Sequence, residues 1–174
     1  MAKPYRKPWN LLESMQPSKK ITYLVWADLI FSILIFASTL LSLFPFLTDS
    51  SELPIEFKIW REDSFLFPFL IASKMTYLLL CGAICITSIG LRKKLETARY
   101  RLLLLMGGYI LLHIVELLVK IFVYYPELSF AIKGGGAIGG VIGSVIGFAL
   151  ASIVPILTIV ILRDSRVRQL FSGS

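Results

Sequence analysis

Four stretches of the chain are apolar nearly all round. Residues 21–46 hold one ionisable side chain, Asp28, and residues 69–91 hold only Lys74. Residues 102–125 carry His113, Glu116 and Lys120, whereas residues 137–162 carry none. Each stretch exceeds the about 20 residues that a helix needs to cross a hydrocarbon core of about 30 Å. A water-facing helix of that length would show a polar stripe recurring every three or four residues, and these do not. The pattern therefore predicts an all-α protein, an integral membrane bundle of four transmembrane helices. Between the spans it leaves an N-terminal tail (1–20), an outer loop (47–68), an inner loop (92–101), a second outer loop (126–136) and a C-terminal tail (163–174). The first apolar stretch is about twice the length of a signal-peptide core, so it is expected to remain as a span.

Composition agrees and excludes a soluble enzyme. Apolar residues make up 56% of the 174 and charged residues 17%, against roughly 45–50% and about 25% in soluble domains. The mean hydropathy is +0.78. One water-facing core of this length could not hide so much apolar surface.

The formal charge of +7 becomes informative once located. Lys3, Arg6, Lys7, Lys19 and Lys20 lie in the first tail, and Arg92, Lys93, Lys94, Arg99 and Arg101 in or beside the second connection. Arg163, Arg166 and Arg168 lie in the last tail, so thirteen of the 18 basic residues fall on one side. The first outer loop is acidic, with Asp49, Glu52, Glu56, Glu62 and Asp63. The positive-inside rule makes the basic side cytoplasmic, so both termini are expected to face in. The expected partner of these flanks is a bilayer with anionic headgroups at its inner face. Nucleic acid is excluded, because the basic residues are divided among three segments and form no binding module.

Both cysteines, Cys81 and Cys85, lie inside the second span. An extracellular disulfide framework of the claudin or tetraspanin kind is therefore absent. In the first outer loop, residues 53–60 alternate loosely between apolar and polar. This predicts a short extended or interfacial segment, with Trp60 and the following phenylalanines at headgroup depth.

Three spans carry a polar seam at helical spacing. Asp28, Ser32, Thr39 and Ser42 share one face of the first, and Lys74, Tyr77, Cys81, Cys85 and Ser88 one face of the second. Tyr109, His113, Glu116, Lys120 and Tyr124 line the third. Seams of this kind are expected to turn toward one another inside a bundle. Depth along antiparallel helices pairs Glu116 with Lys74 or Lys120, and Asp28 with Tyr109 or His113. Ionisable residues inside a membrane are functional candidates by default, which makes Asp28, Lys74, Tyr109, His113, Glu116 and Lys120 the candidate polar cluster.

The fourth span opens on glycines instead. Gly135, Gly139, Gly143 and Gly147 repeat every four residues and Ala151 continues the series, while Gly136 and Gly140 stand on a neighbouring seam. Such a glycine zipper removes side chains from one face so that another helix backbone can approach closely.

No nucleophile–base set, metal-ligand set or cofactor motif is present in the sequence. The expectation is a non-enzymatic tetraspan protein of the cell membrane that packs or oligomerises through its glycine helix and organises a membrane assembly. Its expected protein partners are copies of itself or other membrane proteins. The alternative expectation is a small ion- or proton-coupled transporter or channel using Asp28, His113 and Glu116.

Overall fold

In lipid every backbone N–H and C=O must find its partner within the same segment, so long apolar stretches fold as helices. The computed structural model describes residues 16–47, 54–93, 95–131 and 136–171, and the elements among them are all helical. In chain order these are α1 (Pro17–Leu47), α2 (Ile55–Glu62), α3 (Leu66–Arg92) and α4 (Glu96–Val119). A π-helical turn (Lys120–Tyr124) then joins α4 to α5 (Tyr125–Ala131), and α6 (Gly136–Arg163) and α7 (Ser165–Gln169) follow. Four segments are long and apolar enough to cross a membrane: Pro17–Phe46, Leu66–Arg92, Glu96–Ser129 and Ile138–Arg163.

The four spans run up and down in sequence. α1 packs on α3, α3 on α4, and α4 on α6, whereas α1 and α6 meet over a smaller surface. One end of the bundle carries the outer residues of α1 and α6 that lead to the chain termini; the other carries α2 and α5. At the terminal end Ile21, Leu24, Val25, Ile84, Leu91, Leu102, Met106 and Leu162 form the largest apolar cluster. Phe31, Tyr77 and Tyr109 fill the middle. Trp60, Leu66, Leu70, Tyr124, Tyr125 and Leu128 close the loop end. Large apolar side chains such as Leu41, Leu79, Ile86, Leu104 and Phe122 point outward and exposed, as a lipid-facing surface requires.

Two polar ties lock the terminal end. Lys20 Nζ donates to Asp164 Oδ2 at 3.1 Å, joining the start of α1 to the residue after α6. Arg99, nearly fully buried, donates from Nη1 to the Leu162 carbonyl at 3.1 Å. That carbonyl belongs to the last turn of α6, which has no intrahelical donor left and carries the negative end of the helix dipole. Asp164 also accepts from the backbone N–H of Arg166 and so starts α7.

The connection between the first two spans departs from an extended form. Residues 55–62 are helical, and Trp60 is buried to 7% exposure against the bundle. Its ring lies 4.9 Å from that of Tyr124, centroid to centroid, and Phe57 meets Phe46 edge-on at 5.6 Å. A helix turns these aromatics onto the bundle, a gain that loose alternation along the sequence does not reveal. Asp63 then accepts from the backbone N–H groups of Phe65 and Leu66, both at 2.7 Å, and starts α3.

The π turn has a local cause. Pro126 lacks an N–H, and its ring crowds the carbonyl one turn earlier. The helix widens just before it, with Tyr125 N–H reaching back five residues to the Lys120 carbonyl. Both Tyr124 and Tyr125 are thereby buried, the first against Trp60 and the second against α6.

The hydrogen bond from Arg166 N–H, followed by that from Lys20, holds the Asp164 carboxyl below its ordinary range. A depressed folded value means that the clasp stabilises above the unfolded carboxyl's pKa and is lost as pH falls through the folded one. Acidification is therefore expected to lower the protection of the α7 amides, once exchange rates are corrected for their intrinsic fall with pH, and Asp164→Asn to abolish that loss of protection. Hydrogen exchange on the reconstituted protein checks both.

Candidate functional site

α4 sets His113 and Glu116, and the π turn that continues it sets Lys120, along the face that α3 and α6 pack against. The antiparallel course of α3 brings Lys74 to the same height. Lys74 Nζ donates to Glu116 Oε1 at 2.9 Å, and Lys120 Nζ stands 3.1 Å from that same oxygen. Glu116 is only 4% exposed. Lys74 also lies 5.4 Å from the centre of the Tyr77 ring, whose π face favours a cation. A carboxylate removed from water needs such partners, because its attraction to them must offset the loss of hydration. Two ammonium groups against one carboxylate leave this trio with one surplus positive charge.

His113 sits in an aromatic box beside the trio. Its Nε2 shares a 2.7 Å hydrogen bond with Tyr109 Oη, and which atom donates follows from the imidazole tautomer. The rings of Tyr77 and Phe148 flank it at 5.1 and 6.2 Å.

Asp28 does not join this group. The expected bond to Tyr109 or His113 is replaced by one from Thr158 Oγ1, which donates to Asp28 Oδ1 at 2.7 Å. Phe31 is the reason. Its ring meets Tyr109 edge-on at 5.2 Å and fills the space that Tyr109 would need to face α1. The Tyr109 hydroxyl turns along its own helix to His113 instead. Thr158 is one of three hydroxyl side chains in the stretch 137–162, with Ser144 and Ser152, and nothing in the spacing along α6 sets it apart.

The glycines of α6 divide into two kinds. Gly140 lies against Tyr125, where an added Cβ would collide with the ring. Tyr125 Oη donates to the Gly140 carbonyl at 2.7 Å and shares a 2.6 Å hydrogen bond with Ser144 Oγ. Gly139, Gly143 and Gly147 are different: a Cβ on any of them would meet nothing within 4 Å. Among the described residues nothing uses their close-packing capacity. Gly136 begins α6, and Gly135 lies outside the described residues.

Two of the open glycines, Gly143 and Gly147, border a cleft of about 460 Å³. Ile35 and Ser38 of α1 form one wall, and Gly140, Gly143, Ser144, Gly147, Phe148 and Ala151 of α6 the other. His113, Glu116, Leu117 and Lys120 make the floor. The polar cluster and the glycine face, which look unrelated along the sequence, are two sides of one cavity. Among the described residues no three His, Cys, Asp or Glu side chains gather as metal ligands.

Compared with known proteins, the chain matches no family model, and no curated protein and no solved structure is similar enough to count as a match.

Two outcomes follow from this geometry. Glu116→Gln leaves two half-buried ammonium groups without their anion and is expected to lower stability, by at most the about 3–5 kcal/mol of a fully buried pair. Replacing all three members, as Lys74→Met, Glu116→Leu and Lys120→Met together, should recover most of that loss. Thermal midpoints in detergent micelles read both. Gly140→Val is expected to lower the midpoint through collision with Tyr125, and Gly143→Val to leave it near wild type. Equal losses at the two glycines would contradict the division between them.

Proposed function

We propose that this is a non-enzymatic tetraspan membrane protein that organises a membrane assembly by accepting a further transmembrane helix beside α6. The observation that carries this reading is the open row Gly139, Gly143 and Gly147, none of which has a neighbour where a side chain would stand. Between membrane helices there is no hydrophobic drive, so association relies on close backbone approach and interhelical hydrogen bonds. Glycine in the middle of a helix costs about 1 kcal/mol relative to alanine in water. A repeated row of them, left uncovered by the described residues, is best understood as a face for another helix.

In this reading both termini are cytoplasmic, and the basic flanks rest on anionic headgroups of the cell membrane's inner leaflet. The proton-relay alternative draws less support. Asp28 is tied to Thr158, His113 to Tyr109, and Glu116 to two lysines, so the three candidate carriers are held in separate bonds.

The test is the size of the complex extracted in mild detergent from cells that express the full chain. Wild type is expected to run well above the mass of one 19.6 kDa chain, and Gly143→Leu with Gly147→Leu to fall toward it while keeping the wild-type thermal midpoint. An unchanged complex in a correctly folded variant would overturn the proposal. Proton flux in liposomes that depends on Glu116 would favour the relay instead.

A further inference from the structure

The charge on the cleft floor narrows the kind of helix that fits. Lys74 and Lys120 share Glu116 Oε1, so one positive charge is left over, and Lys120 is the member that faces the cleft with its side chain 32% exposed. A cation at such a position is unfavourable in hydrocarbon and is stabilised by an anion brought to it. Within its apolar stretches a second copy of this chain has no unengaged acid to bring. The acidic residues within its apolar stretches are Asp28 and Glu116, which are 0% and 4% exposed and already bonded. Its other acidic residues in or beside the described helices stand toward the ends of the bundle, at positions Glu56, Glu62, Asp63, Glu96, Glu127 and Asp164.

The walls indicate a rod. From Gly140 to Ala151 the α6 wall runs about 17 Å, close to three helical turns. Small residues along it admit a backbone at short range. An acyl chain would fill any gap of this volume and has no need of glycines.

Resting on the helix-docking reading above, we infer that the cleft binds a transmembrane helix of a different protein, one that carries an Asp or Glu opposite Lys120. The carboxylate takes up the surplus charge of the Lys74–Glu116–Lys120 trio, and the glycine row receives the helix backbone. Charge thus selects the partner, and shape holds it.

The experiment uses the full chain, donor-labelled, in phosphatidylcholine liposomes. The probe is an acceptor-labelled Leu/Ala transmembrane peptide with a Gly-x-x-x-Gly face and either Glu or Gln at the depth of Lys120. Energy transfer should show the Glu peptide associating at least tenfold more strongly than the Gln peptide. Lys120→Gln should erase that preference and Lys120→Arg keep it. Gly143→Leu with Gly147→Leu should remove association of both peptides.

Equal association of the two peptides with wild type would overturn the acidic-partner inference and leave helix docking standing. Association of neither would overturn both. Displacement of the Glu peptide by 10 mol % of an anionic lipid, added at constant total lipid, would assign the cation to a lipid headgroup and overturn the inference. Energy transfer between two labelled copies of the chain that excludes the Glu peptide would assign the cleft to self-association, with the same consequence.

Discussion

Glu116 Oε1 receives ammonium groups from two directions, and the rest of the loop-ward half of the bundle is arranged so that it can. The physical constraint is the solvent. Hydrocarbon provides no hydrogen bonds, so each polar group carried into it must be matched by another from the protein. Lys74 and Lys120 come from different elements, which means that α3 and α4 must meet in one register for both to reach. Tyr77 and the His113–Tyr109 pair then pack around the ions. Similar matching recurs toward the terminal end, where Thr158 serves Asp28 and Arg99 serves the last carbonyls of α6.

This requirement explains why the bundle is tight at one end and open along one side. Lys20–Asp164 and Asp28–Thr158 draw α1 toward α6 near the termini. Nearer the loops, α6 turns to α5 through Tyr125, whose hydroxyl occupies both Gly140 and Ser144. α6 is thus pulled to different neighbours at its two ends. The cleft is the space left between these two attachments.

The architecture was largely legible in the sequence, because spans are defined by length and the near absence of charge, properties that need no tertiary information. The meeting of Glu116 with both lysines was legible too, from helical spacing and depth. Other features depend on three-dimensional competition. Asp28 had two plausible partners by height, but Phe31 packs on Tyr109, His113 is bonded to Tyr109, and Thr158 meets the carboxyl instead. The helix at Ile55–Glu62 reads as loose alternation, since what favours it is burial of Trp60 on Tyr124 from another span. Equally spaced glycines look alike in sequence, yet one is pressed against Tyr125 and three are open. The cleft itself is a property of no single segment.

The bond between Asp28 and Thr158 spans 130 residues of chain. At the about 5–20 residues per second of protein synthesis, the acceptor waits on the order of ten seconds for its donor. Through that interval three spans exist with an Asp28 carboxyl that the finished bundle buries but the unfinished one does not satisfy. The same delay applies to Lys20, whose partner Asp164 follows six residues after Thr158. The synthesis of α6 is therefore a chemical event at α1: the fourth span closes bonds that the first has held open. A nascent chain halted before α6 carries an Asp28 carboxyl without the hydroxyl that meets it in the folded bundle.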